Sequence, residues 1–130
     1  MKVDRFEDLE IWQMARQLSL EVKEYSTGNK FEKDFRFRDQ IRAASGSVMD
    51  NIAEGFERGG NKEFIQFLYI SKGSCGEVRS QNHRALDYGY INEEQYKTIN
   101  DLTIKLSVKT SNLIQYLKNS DLKGRKYHKK

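Results

Sequence analysis

The chain has 130 residues, a formal net charge of +4, one cysteine and no proline. That length suits one domain able to bury about two-thirds of its unfolded surface. A lone Cys75 excludes an intramolecular disulfide, the absence of proline favours long helices, and no apolar run approaches the roughly 18–20 residues that cross a bilayer.

In chain order, the first segment repeats apolar residues at three- and four-residue steps: Leu9, Trp12, Ala15 or Arg16, Leu18 or Leu20, Val22 and Tyr25. Asp8 is its expected N-cap, and Ser26-Thr27-Gly28-Asn29 its stop, which predicts a helix over roughly 8–26. The second, roughly 32–58, carries Phe37, Ile41, Ala44, Val48, Ile52 and Phe56 on one seam. Glu32 with Arg36, Asp34 with Arg38, and Glu54 with Arg58 stand as i,i+4 pairs in the favourable order, and Gly59-Gly60 ends the segment.

The third segment, roughly 61–88, is expected to be capped by Asn61 and to bury Phe64, Phe67, Leu68, Ser71, Cys75, Val78 and Leu86. Gly73 and Gly76 lie within it, each costing roughly 0.5–1 kcal/mol against alanine, which suggests that another backbone comes close. Asn92-Glu93-Glu94-Gln95 has the form of a capping box. It opens a fourth helix, roughly 93–118, with Tyr96, Ile99, Leu102, Leu106, Leu113 and Leu117 near heptad spacing and a break at Lys109 and Thr110. Four such rods with short breaks predict an all-α fold, an antiparallel up-down-up-down four-helix bundle over residues 1–118. Residues 119–130 then form a basic C-terminal tail.

The positive charge is local. Between Lys118 and Lys130 six basic residues face one acid, Asp121, so the segment carries +5 and the remainder about −1. Such a tail can hold phosphates without reading sequence, and Lys-rich C-termini also occur simply as solvated ends. The N-terminus mixes charge with single apolar residues and lacks the oily run of a signal peptide, so a soluble, cytoplasmic protein is expected.

Catalytic and metal patterns are missing from the sequence. Neither His83 nor His128 follows a glutamate by three positions, as a di-iron bundle requires, and one cysteine with two histidines offers no zinc-ligand spacing. No glycine run leads into a phosphate-binding lysine. Cys75 reads as a small buried hydrophobe, and His83 with Asp87 as a surface pair. We expect no enzyme, no metal and no cofactor.

A polar stripe remains. Gln40, Ser47, Asn51 and Glu54 share one face of the second helix, with Arg42 one step round, opposite Ser74, Glu77 and Gln81 on the third. The preferred reading is a structural hydrogen-bond network in which Arg42 pairs with Glu77 and Asn51 fixes register; the sharper one is a ligand or RNA groove. Phe6, Trp12, Phe31, Phe35, Phe56, Tyr69, Tyr88, Tyr90 and Tyr127 exceed what one small core needs, which suggests a subunit interface. Arg36, Arg38 and Arg42 near Phe35 make the best nucleic-acid corner of the body, with Lys123, Arg125 and Lys126 as tail contacts, against a reading as solvated, salt-paired arginines.

These residues resemble the 23S ribosomal RNA intervening-sequence protein family. The likeness runs from Phe6 to about Leu117 and is carried by Phe6-x-x-Leu9-x-x-Trp12, by Gln40-Ile41-Arg42-Ala43-Ala44 leading to Ser47-Val48 and Asn51-Ile52-Ala53-Glu54-Gly55, by Phe64, Phe67-Leu68, Gly73-Ser74 and Glu77, and by Gly89-Tyr90-Ile91. Met49 departs from the family, many of whose members carry proline there. The resemblance implies a homopentamer of four-helix bundles and a relation to the accessory proteins of diversity-generating retroelements, which bind nucleic acid and a reverse transcriptase. It implies no reaction and no active site. The expected function is therefore a non-enzymatic oligomer that binds RNA or a ribonucleoprotein; the alternative is a protein–protein scaffold without nucleic acid.

Overall fold

The computed structural model describes residues 2–128, with side chains through Ser120. After a single 3-10 turn at Phe6–Asp8 come α1 (Glu10–Tyr25), a one-turn α2 (Lys30–Lys33), α3 (Phe35–Glu57), α4 (Asn61–Asp87) and α5 (Glu93–His128). No strand occurs among the described residues. The four long helices pack in a closed cycle, α1 on α3, α3 on α4, α4 on α5, and α5 back on α1.

Individual contacts fix the directions. Along α3 and α4, Phe37 meets Arg84, Ser47 meets Ser74, and Gly55 meets Phe67, so one helix ascends as the other descends. Between α4 and α5, Tyr69 meets Lys118, Cys75 meets Thr103 and Asn82 meets Tyr96. Glu10 of α1 pairs with Lys109 of α5 at 2.8 Å, while Glu21 shares a cavity with Asn92 and Gln95. Neighbours are antiparallel throughout, which is the up-down-up-down bundle.

The core is built from the periodic positions: Ile11, Leu18 and Val22 from α1, Ile41, Val48 and Ile52 from α3, Leu68, Cys75 and Val78 from α4, Ile99, Leu106 and Ile114 from α5. On α5 the buried seam runs Ile99, Thr103, Leu106, Thr110, Ile114, Leu117, so Thr110 continues the seam that sequence spacing breaks there. A threonine fits because its hydroxyl bonds back along its own helix, Thr110 Oγ1 to the Leu106 carbonyl at 2.8 Å, leaving its methyl for the core.

The helix ends differ from expectation in four places. Asp8 lies in the 3-10 turn, and Leu9 occupies the N-cap of α1 without a side-chain bond. Gly60 precedes α4, so Asn61 is its first residue and not its cap. The second segment is two helices, because Asp34 leaves helical geometry and accepts the Phe37 amide at 3.3 Å. That break removes the Glu32–Arg36 and Asp34–Arg38 ion pairs; Glu54–Arg58 forms at 2.7 Å. The Asn92–Gln95 capping box is present in both directions, at 2.8 and 2.9 Å. Gly28 and Gly59, at φ +80° and +86°, take the left-handed turns that end α1 and α3. α3 runs unbroken across Met49, and α5 continues past residue 118 to His128.

Candidate nucleic-acid corner

Five aromatic rings, Tyr25, Phe31, Phe37, Tyr88 and Tyr90, cluster at one end of the bundle. Phe31, wholly buried rather than exposed, stacks on Phe37 with ring centres 5.0 Å apart and contacts Tyr25 and Tyr90 at 5.6 and 5.2 Å. Tyr88 meets Phe37 and Tyr90 edge-on. Tyr90 donates its hydroxyl to Asp34 Oδ2 at 2.8 Å, tying the α4–α5 connection to the start of α3. One-turn α2 thus acts as a plug that delivers Phe31 into the end of the core.

Around this plug the three arginines of α3 separate. Positions 38 and 42 lie about 200° and 240° round the helix from position 36, so Arg36 leaves the far side from the other two. Arg42 turns toward the end of α1, where it donates to Ser26 Oγ, the Ser26 carbonyl and Thr27 Oγ1 at 2.9–3.0 Å. It therefore caps a helix C-terminus, where a cation is favoured, and does not pair with Glu77. Arg38 is held by Asp39 at 3.0 Å and the Glu32 carbonyl at 3.1 Å, and covers the Phe35 ring at 4.9 Å.

Arg36 goes the other way. It lines a cavity of about 360 Å³ between α3 and α4, with Asp34, Phe37, Gln40, Arg84 and Tyr88. Arg84 was not singled out in the sequence, yet its guanidinium lies 4.2 Å from the Phe37 ring centre. Neither arginine has an ion pair among the described residues. The signal for Arg84 was its place opposite Phe37 in an antiparallel helix pair, which only a register could reveal. The side chains of Lys123, Arg125 and Lys126 lie outside the described residues.

The polar stripe resolves into short separate bonds. Ser47 and Ser74 hydroxyls meet at 3.1 Å across the α3–α4 seam, and Asn51 donates to Ser47 Oγ and to its carbonyl at 2.9 and 2.8 Å. Ser71 adds a buried bond to the Val48 carbonyl at 2.7 Å. Glu54 pairs with Arg58 on the surface, and Glu77 accepts from Gln81 at 3.3 Å. Gln81 Oε1 is buried without a partner among the described residues. Gln40 lines the α3–α4 cavity and joins none of these bonds.

The other reactive groups are accounted for structurally. Cys75 is buried, its thiol 3.3 Å from the Thr103 carbonyl, and burial pushes its pKa up to about 11 against the smaller opposing pull of Arg79 and Lys72. His83 lies against Tyr96, whose hydroxyl is 3.3 Å from its ring nitrogen, in place of the expected Asp87 partner. A cavity of about 440 Å³ is lined by Glu21, Glu24, Tyr25, Asn92, Glu94, Gln95 and Thr98. No group of three or more metal-ligating side chains converges among the described residues, and no described helix is long and apolar enough to cross a membrane.

Fold and site together define an all-helical bundle with an arginine-lined aromatic corner. A family profile for 23S rRNA-intervening sequence proteins matches residues 7–112, and the chain belongs to that family. The fold is shared with a crystal structure from Bacteroides thetaiotaomicron, described as a protein of unknown function from the S23 ribosomal protein family. The TM-score is 0.74 at 21% identity, over 81% of this chain and 95% of that one. No curated protein matches the chain.

Proposed function

We propose that this protein is a non-enzymatic, self-associating bundle whose assembly binds RNA or a ribonucleoprotein partner in the cytoplasm. The observation that carries the reading is the charge asymmetry: +5 between Lys118 and Lys130, on a chain whose remainder is close to neutral. α5 continues as a helix to His128, so the backbone of Lys118, Lys123, Arg125 and Lys126 belongs to an extension of the bundle's last helix. Family likeness supplies the expected pentamer, and self-association multiplies weak contacts of one chain into a multivalent one. The exposed Ile104 and Val108, opposite the buried seam of α5, support association with a protein surface.

The test is binding of a structured RNA across a salt series, with the intact chain and with residues 119–130 removed, alongside light scattering for the assembly mass. Binding with a steep negative salt slope that collapses on truncation supports the proposal. No binding at low salt leaves the second reading, a protein–protein scaffold, for which the exposed apolar residues of α5 speak.

A further inference from the structure

The cavity between α3 and α4 has a composition that the RNA reading does not by itself require. Two arginines, Arg36 and Arg84, line it together with one acidic residue, Asp34. Both Asp34 oxygens are already engaged, Oδ1 by the Phe37 amide and Oδ2 by the Tyr90 hydroxyl. The cavity therefore keeps one uncompensated positive charge. Arg84 is held in place by its stacking on Phe37, which lowers the entropy lost when it binds an anion. Tyr88 stands at the rim with 54% of its surface exposed, its ring braced edge-on by Phe37 and Tyr90. Gln40 makes no hydrogen bond among the described residues and offers both a donor and an acceptor at the mouth.

We propose that this cavity takes one unpaired nucleotide of a single-stranded RNA, its phosphate between Arg36 and Arg84 and its base against Tyr88. The inference rests on the RNA reading and deepens it. A bound phosphate is met by two guanidinium groups, whose charge-assisted hydrogen bonds to phosphate oxygens are the stronger kind. An exposed, braced ring provides a stacking face that only an unstacked base can reach, whereas duplex RNA presents its backbone and 2′-hydroxyls. Gln40 meets the base edge. The tail supplies attraction to any RNA; the cavity distinguishes strand from duplex.

The experiment uses the full chain, a fluorescent ten-nucleotide single-stranded RNA, the same strand annealed to its complement, and inorganic phosphate as competitor. Arg36→Gln and Tyr88→Leu change exposed positions, and thermal melts check that both variants remain folded. Arg84→Lys keeps the charge and removes the planar fork. Single-strand affinity falling about tenfold or more in Arg36→Gln and Tyr88→Leu, with duplex affinity changing less, supports the proposal. Loss in Arg36→Gln with phosphate competition, but none in Tyr88→Leu, overturns the stacked base. If both variants bind the strand as the parent does, while removal of 119–130 abolishes binding, the cavity proposal fails and the RNA reading stands. If the parent binds neither RNA at low salt, both fall.

Discussion

Gly55 and Gly73 both sit in helical backbone, yet they face opposite packing problems. A Cβ on Gly55 would lie 2.5 Å from the Phe67 Cβ and 3.2 Å from the Phe64 ring, so here the α3 backbone meets α4 side chains directly. A Cβ on Gly73 would meet nothing within 4 Å. Gly55→Ala should therefore lower stability by about 1–3 kcal/mol despite its better helix propensity. Gly73→Ala should raise the stability of the single subunit by about 0.5–1 kcal/mol. Thermal or urea unfolding of both variants checks the opposite signs. At the same scale, Cys75 titrates with folding. Its thiol is held neutral by burial, with a pKa raised from 9.0 to about 11. Stability from this group is whole below pH 9 and is lost as pH rises toward 11. The loss is on the order of 2 kcal/mol. Urea unfolding at pH 8 and pH 11 should show a larger drop for the parent than for Cys75→Ala.

Among the elements, the end of α1 is tied to α3 by Arg42. Arg42 places three donor contacts on Ser26 and Thr27, and Ser26 is itself fully buried. Arg42→Ala removes a charged partner from the terminal carbonyl region of α1 and should cost about 1–3 kcal/mol. Arg42→Lys should recover only part of it, because one ammonium cannot span the three acceptors; calorimetric melting of the pair tests this order. Periodicity located the four long rods and the α5 capping box, since both signals lie within one segment. It failed at Asp34, where a tertiary bond from Tyr90 holds the backbone out of the helix, and at Thr103 and Thr110, where a satisfied hydroxyl makes a polar residue behave as an apolar one.

At the level of the whole molecule, charge and shape are divided between two regions. The RNA reading places sequence-independent attraction on the α5 extension and discrimination on the α3–α4 corner. Removing residues 119–130 deletes five cations, Lys123, Arg125, Lys126, Lys129 and Lys130. If all five meet phosphates, the slope of log affinity against log salt should become shallower by up to about 3–4 per chain. Filter binding or anisotropy between low and moderate salt reads that change. An unchanged slope would assign the phosphate contacts to the bundle itself.

By itself the sequence determined the all-helical class, the four apolar seams, the terminal glycine turns and the gathering of positive charge toward the C-terminus, because each of these is set by residues near one another along the chain. The tertiary structure alone decided which arginines are committed and which face solvent. Arg42 was drawn to α1, Arg38 to Asp39 and Phe35, and Arg36 to a cavity completed by Arg84 from another helix. Helical spacing says on which side a side chain leaves its rod. Only the packing of rods says what it meets there.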